Sequence, residues 1–308
     1  TYNGGLRFDV GAMDGQQYLQ PVYGSSDSLL GYDELVPKLN RNYSSFSGSL
    51  GAAWRLGKST NLKLNTGKSF RFPAPPELLA NGVHHGTFRH EQGSPHLAPE
   101  SGYQLDAGIE YQRKTVVMKL NPYFNFYRNF IYLRPTATFS LLPDAGQIYR
   151  FSQADALHTG VEAVVDYHPR EAVHAGIVAE YTWNYNLETY LPLPFTPPFT
   201  LKAEADYTFH THSDWLKEPY LGISAGYYAA QNRVDRNEDA TRGYSLVNFN
   251  AGASFIVAKQ PVELIFTIDN LLNTKYMNHL SRYRVLNLPE PGRNVQLMLK
   301  IPFDFNNE

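Results

Sequence analysis

Four of the ten histidines fall within thirteen residues of one stretch of this 308-residue chain. They are His84, His85, His90 and His96. Neutral imidazole is a good ligand for zinc, copper and iron. The spacing therefore predicts a metal contact, with His85 and His90 as its foremost ligands. The alternative is that these side chains only form hydrogen bonds within their own loop.

Arginines and tyrosines form a second group of candidate binding residues. Guanidinium forks and phenol rings suit anionic, aromatic ligands. If the strands run as described below, these side chains line one end of the fold: Arg71, Arg89, Tyr127, Arg128, Arg134 and Tyr283. The alternative is an ordinary solvated rim, and Arg71 could instead hold its own loop in place.

Signals for catalysis or nucleic-acid binding are missing from the sequence. It has no nucleophile elbow, P-loop, zinc-protease motif or glycine-rich phosphate fingerprint. Ser94 and His96 alone do not make a catalytic set, so we predict that the chain is not an enzyme. A net charge of −2 argues against a nucleic-acid surface, and the absence of cysteine excludes disulfides and thiolate metal sites.

The elements that must position these residues are clearest between residues 103 and 127. Apolar and aromatic side chains alternate with polar ones on both sides of a turn at 112–114. Because successive side chains of a strand point to opposite faces, this period of two predicts a long β-hairpin with one apolar face.

The polar face indicates which way the hairpin is oriented. Asp106, Glu110, Lys119 and Asn121 cannot enter an apolar core unpaired without a cost of several kcal/mol. Arms of about ten residues with aromatic ends suit strands that cross a membrane, with the apolar face outside and the polar face lining a lumen. A mean hydropathy of −0.39 fits this pattern, because only alternate residues need be apolar. A soluble β-sandwich is the alternative.

Twelve segments show strand character, and long and short connections alternate between them. The predicted strands are 4–13, 44–56, 61–71, 101–111, 115–130, 148–167, 172–183, 199–209, 219–230, 244–257, 262–270 and 294–303. The predicted long loops are 14–43, 72–100, 131–147, 184–198, 232–243 and 271–293. Short turns on one rim and long loops on the other are typical of outer-membrane barrels, whose short rim is periplasmic. Residues 1–13 read as a strand rather than a signal peptide, so an exported protein would be seen here mature or as a fragment.

Three ordered segments carry a family resemblance. Residues 70–73 read Phe-Arg-Phe-Pro, and residues 94–101 read Ser-Pro-His-Leu-Ala-Pro-Glu-Ser. Residues 269–276 read Asp-Asn-Leu-Leu-Asn-Thr-Lys-Tyr, and Pro-Gly-Arg follows at 291–293. In these segments the chain resembles the TonB-dependent outer-membrane receptors, energised importers of scarce nutrients. The segments look like that family's FRAP box, its NPNL-x-PE-x-S box and its C-terminal N-L-x-[DN]-x-x-Y segment.

The resemblance implies an all-β fold, an antiparallel transmembrane β-barrel of 22 strands around a plug. Residues 1–308 would form its C-terminal part, about twelve strands, with the plug and the N-terminal strands on a companion chain or segment. It also implies an outer-membrane location in a Gram-negative bacterium, contact with membrane lipid, and the TonB complex as partner. A small complete barrel of twelve strands is the alternative.

The resemblance further implies import of a metal chelate, an iron–siderophore or haem, with no permanently bound cofactor. In haem receptors of this family, a histidine between the two boxes is a proposed haem ligand, and His84, His85 or His90 could take that place. The alternatives are a zinc or copper uptake receptor and a surface binding barrel that does not transport.

Overall fold

A computed structural model of the chain describes residues 1–25 and 27–302 and consists almost entirely of strands. The strands are β1 (Tyr2–Gly15), β2 (Tyr18–Tyr23), β3 (Leu29–Val36), β4 (Leu39–Leu56), β5 (Thr60–Arg71), β6 (Asn81–His84), β7 (Arg89–Gln92), β8 (Glu100–Gln112), β9 (Val116–Phe139), β10 (Gln147–Arg170), β11 (Val173–Asn186), β12 (Thr200–Thr208), β13 (Leu216–Tyr228), β14 (Tyr244–Val257), β15 (Gln260–Asp269) and β16 (Asn294–Lys300). The helical elements are α1 (Pro75–Leu79) and a 3₁₀ turn (Arg282–Leu286). No helix in the described part of the chain is long and apolar enough to cross a membrane.

One sheet of fourteen strands contains twelve antiparallel strands in the order β1-β4-β5-β8-β9-β10-β11-β12-β13-β14-β15-β16, and β6 and β7 join it through β10. The twelve correspond one to one with the twelve predicted strands, which confirms the period-two interpretation. The end of the last predicted strand, residue 303, lies outside the described residues. Within those residues β1 and β16 are the two edges of the sheet and do not pair with each other. This chain therefore forms part of a barrel.

Some of the predicted long loops contain strands or extensions of strands; β6 and β7, for example, lie within the predicted loop 72–100. The prediction of a loop at 131–147 was wrong, because β9 and β10 remain paired as far as Phe139 and Gln147 and leave seven residues, 140–146, between them. Pro135 lies within this extended pairing, opposite Tyr149, where the register shifts by two residues. Proline is tolerated at such irregular positions because a ladder hydrogen bond is already missing there. Inside the predicted loop 14–43, β2 and β3 form a separate hairpin.

The two faces of the sheet have the predicted character. The apolar row of β8 and β9 remains open to the surroundings, with Leu105 48% and Phe124 47% exposed. The buried apolar cluster consists instead of Leu39, Leu78, Leu97 and Ile131, which lie where the long loops meet the sheet. The alternating apolar rows do not pack against one another as they would in a soluble sandwich.

Aromatic side chains on the apolar face gather at both ends of the strands. Tyr103 stacks on Phe126 at one end of the β8–β9 hairpin, and Tyr111 lies at the other. Eight residues of strand separate Tyr103 from Tyr111, about 27 Å at roughly 3.4 Å per residue. Tyr207 and Phe209 form an edge-to-face pair beside another short turn. This is the arrangement of aromatic girdles that flank an apolar band.

On the polar face, tyrosine rings pack over glycines of the neighbouring strand. A Cβ atom at Gly160 would be 2.5 Å from the Tyr123 hydroxyl, and one at Gly252 would be 2.6 Å from the Tyr220 ring. Each tyrosine is the register partner of its glycine. Only glycine leaves room for the ring to lie flat on the adjacent strand. These rings therefore fix the inner wall beneath the long loops.

Candidate ligand site at the long-loop rim

The loop between β5 and β8 is held by the arginine of the first sequence box. Arg71 Nη1 donates hydrogen bonds of 2.8 Å and 2.7 Å to the two Glu77 oxygens, and its Nη2 donates one of 3.3 Å to Glu100 Oε2. Glu77 also accepts from the Ala74 amide, and Glu100 accepts from the Ile131 amide of β9. Arg71 therefore braces the loop against the sheet, and its guanidinium is already occupied by two carboxylates.

Beneath this brace, α1 packs its apolar side chains against the sheet, and Leu79 is partly buried there. Leu78 is 1% exposed and packs with Leu97 of the second box and Ile131. Glu77 at the third position of α1 reaches back to the backbone before the helix, which fixes its start at Pro75. The two boxes thus place the rest of the loop over the mouth of the barrel.

The β6–β7 hairpin carries most of the clustered histidines across this mouth. Strand β7 pairs in parallel with β10, with His90 opposite Ile148 and Gln92 opposite Arg150. This edge of β10 is available because the pairing with β11 begins only at Ala156. The hairpin therefore extends the sheet at the rim and leaves its tip, which carries His84 and His85, exposed.

The histidines differ in how free their ring nitrogens are. His90 is 9% exposed, and its Nδ1 and Nε2 lie 2.8 Å from Ser140 Oγ and 3.0 Å from Asn81 Oδ1. Burial lowers the pKa of His90, which favours its neutral form. His84 Nδ1 contacts Thr87, whereas His85 and His96 are exposed. A metal at His90 would have to displace one of its two partners.

The structure does not assemble the histidines into a formed metal centre. In residues 1–25 and 27–302, no group of three or more histidine, aspartate or glutamate side chains is arranged to hold a metal ion. The assignment of His85 and His90 as metal ligands stays a prediction, as does ligand contact by His84 and His96.

Arg89 is buried between two aromatic rings. Its guanidinium carbon lies 4.4 Å from the Tyr149 ring centre and 4.8 Å from that of Phe195, and the residue is 8% exposed. Burial lowers the pKa of Arg89, and the positive charges of Arg282 and Arg284 act in the same direction. Sequence reasoning selected Arg89, but its two aromatic neighbours come from distant parts of the chain and gave no sequence signal.

The remaining predicted residues occupy different surfaces of the rim. Tyr127 lies on the polar wall against Gly102. Arg128 pairs with Ser101 in the row of Phe126 and Tyr103, so it faces away from the lumen. Its expected place beside Tyr127 was wrong, because neighbouring residues of a strand point to opposite sides. Arg134 lines a small cavity with Thr189 and Asp235, and Tyr283 is 53% exposed on the 3₁₀ turn.

Sequence reasoning missed a buried cluster, here termed the loop clasp, formed by Glu238, His279 and Arg284. Their side chains are 2%, 1% and 8% exposed. Glu238 Oε1 accepts hydrogen bonds of 2.9 Å from Arg284 Nη2 and 2.9 Å from the Phe195 amide, and it lies 3.3 Å from His279 Nε2. The clasp joins loops 187–199, 229–243 and 270–293.

The hydrogen bonds of the clasp indicate which ring nitrogen would carry the proton in a neutral His279. Arg284 Nη1 lies 2.6 Å from His279 Nδ1, and because a guanidinium can only donate, that nitrogen must accept. The proton of a neutral His279 therefore sits on Nε2 and points to Glu238. Burial raises the pKa of Glu238, but hydrogen bonds from His279, Arg284 and the Phe195 amide outweigh it, so this pKa lies below its usual range.

Comparison with known proteins agrees with this architecture. The family model described as TonB dependent receptor-like, beta-barrel, matches residues 1–271. The structure is similar to that of the copper transporter OprC, with 21% identity, a TM-score of 0.74, and coverage of 96% of this chain and 44% of that chain. It is also similar to the FrpB iron transporter from Neisseria meningitidis (F3-3 variant), with 14% identity, a TM-score of 0.64, and coverage of 96% and 42%.

A third similar structure is the siderophore receptor PirA from Acinetobacter baumannii, with 19% identity, a TM-score of 0.61, and coverage of 86% of this chain and 42% of that one. The chain thus spans less than half the length of these proteins. The three likenesses concern the fold, while the family model covers most of the sequence. This chain therefore belongs to the TonB-dependent receptors and forms part of their β-barrel.

Proposed function

We propose that this chain is the C-terminal part of the barrel of an outer-membrane receptor that binds a metal chelate and imports it actively. The observation that carries the proposal is the long-loop rim, where arginines, tyrosines and histidines of a TonB-dependent barrel gather above a polar inner wall. Solved structures with this fold include proteins named as a copper transporter, an iron transporter and a siderophore receptor.

The proposed orientation places the short turns in the periplasm and the long loops outside a Gram-negative cell. The apolar rows then contact lipid, and the open edges of β1 and β16 pair with further strands of a 22-stranded barrel. Those strands and a plug would come from a companion chain or segment, through which the inner-membrane TonB complex would act. An open sheet edge in lipid would leave backbone groups without partners, so such closure is required.

Among metal chelates, the rim favours an anionic iron–siderophore. Among the described residues Arg89 has no carboxylate partner, and Tyr283 presents an exposed ring on the 3₁₀ turn. These groups suit an anionic chelate with aromatic or carboxylate arms. Haem remains the second candidate within import, since His84 and His85 are exposed at the hairpin tip.

Uptake of labelled metal tests the proposal. Cells that lack the receptor should lose uptake of one anionic ferric chelate, and restoring the receptor should restore it. Because import by this route needs the TonB complex, removing that complex should abolish uptake while binding to the cell surface persists. Surface binding with no dependence of uptake on the receptor would instead identify a non-transporting binding barrel.

The same assay, run with haem, zinc and copper, separates the second candidate from the first. A variant with His84, His85 and His90 changed to alanine should leave uptake of the ferric chelate unchanged. The matched control changes His210 and His212, which lie between β12 and β13 on the opposite rim. Selective loss of haem or bare-metal uptake in the first variant alone would establish the histidine route.

A further inference from the structure

Arg89 is a buried cation without a counter-ion. Its Nε is shielded from solvent and has no hydrogen-bond partner, and no ion pair to its side chain forms within residues 1–25 and 27–302. Leaving such a group unpaired costs about 1–3 kcal/mol or more for a charged donor. The tyrosine and phenylalanine rings on its flanks lower that cost but do not satisfy its N–H groups.

Positive charge accumulates around this guanidinium. Arg282 and Arg284 both act electrostatically on Arg89. Arg284 is neutralised by Glu238 at 2.9 Å, whereas Arg282 is exposed and forms no ion pair in the described residues. Glu91 acts in the opposite direction but does not reach Arg89 as an ion pair. Arg89 and Arg282 therefore both lack an ion-pair partner within the described residues.

We propose that Arg89 is the seat for a carboxylate or similar oxyanion carried by the imported chelate, with Arg282 as a second positive contact. This inference rests on the proposed function and specifies the ligand as anionic. A planar guanidinium with unpaired N–H groups binds a carboxylate through two parallel hydrogen bonds. The aromatic walls hold it in one orientation, so little side-chain entropy is lost on binding.

Three features define where this seat lies and which ligand it favours. Arg89 is the first residue of β7, and β7 pairs with β10 at the rim. The site therefore lies at the mouth and not deep in the lumen. Phe195 contacts the guanidinium carbons of both Arg89 and Arg284, at 4.8 Å and 5.8 Å. The ring of Phe195 therefore separates an anion bound at Arg89 from Arg284 of the loop clasp. A neutral chelate would leave the seat unpaired and gain nothing from it.

The test compares the thermal stability of the complete receptor in detergent with inorganic phosphate, citrate or a neutral ferric trihydroxamate. Phosphate and citrate should raise the unfolding midpoint of the wild-type receptor. In Arg89→Met the apparent affinity for both anions should fall about tenfold or more, the effect of losing a charged hydrogen-bond pair. The anion affinity of Arg89→Lys should lie between those of the wild type and Arg89→Met, because lysine keeps the positive charge but lacks the forked guanidinium.

The matched control is Arg233→Met. Arg233 also lies on this rim, stacks on an aromatic ring, Trp183, and has a buried Nη2 without a hydrogen-bond partner among the described residues. It differs from Arg89 because its Nη1 donates to the Tyr181 hydroxyl on the outward face. This variant should bind phosphate and citrate like the wild type. Equal anion affinity in Arg89→Met and wild type, or no anion effect on the wild type, would overturn the seat. Uptake measured in the same variants distinguishes that result from a failure of import itself.

Discussion

Replacing Glu238 by alanine should lower the free energy needed to open the long-loop rim by about 3–5 kcal/mol. This is the cost of breaking a buried ion pair by removing one partner. The buried guanidinium of Arg284 would lose its carboxylate, and the Phe195 amide would lose its acceptor. Amide hydrogen exchange, read by mass spectrometry across 187–199, 229–243 and 270–293, measures this opening directly. Exchange in these loops should become faster by at least two orders of magnitude.

The control for this prediction is Glu180→Ala on the inner wall. Glu180 is 47% exposed and lies 3.9 Å from Lys202, a pair that should contribute no more than about 1 kcal/mol. If loop exchange in Glu238→Ala matches that in Glu180→Ala, the clasp does not hold the loops. The pH dependence follows from the same contacts. The folded pKa of Glu238 is lowered, so its contribution is complete above the unfolded value near ~4.3 and is lost only as pH falls through the folded value.

The second large effect is expected at Arg71. Its replacement by alanine would leave the carboxylates of Glu77 and Glu100, 15% and 11% exposed, without their shared cation. Because Arg71 itself is 40% exposed, we expect the loop between β5 and β8 to lose about 2–3 kcal/mol of stability, less than for a fully buried pair. Limited proteolysis should then cut within 72–99 at conditions under which the wild-type loop resists.

Arg41→Ala is the matched control for the Arg71 prediction. Arg41 contacts the same loop, but within the described part of the chain it donates only to the Pro95 carbonyl, at 2.8 Å. It should increase cleavage far less than Arg71→Ala does. Equal protection of the loop in wild type and Arg71→Ala would show that the first sequence box does not brace it.

The strand pattern was predictable from sequence because period-two alternation survives wherever one face is apolar and the other polar. This alternation predicts all twelve strands of the antiparallel path from β1 to β16. The same alternation shows that the neighbouring residues Tyr127 and Arg128 cannot share a face, so it already argued against placing both on the rim surface. The extension of β9 beyond residue 130 was not predicted, and Pro135 within it is tolerated at a local register shift that only the pairing with β10 reveals.

The site itself was predictable only in part. The two boxes and the resemblance placed the β5–β8 loop, and Arg89 and the histidines were selected by residue type. The environment of Arg89 was not predictable, because Tyr149 and Phe195 reach it from a different strand and a different loop. Similarly, Glu238, His279 and Arg284 come from two loops without periodic pattern, so no sequence spacing indicated that they would meet.

The orientation of the sheet can be measured directly, because the chain has no cysteine and single cysteines can be introduced freely. Nitroxide labels at Gln104, Leu105, Asp106 and Ala107 of β8, in the receptor reconstituted in lipid, would report collisions with oxygen or with a water-soluble nickel chelate. The ratio of oxygen to nickel collisions should be high at 105 and 107 and low at 104 and 106. A ratio that does not alternate, or that is higher at 104 and 106, would contradict a barrel whose apolar rows face lipid.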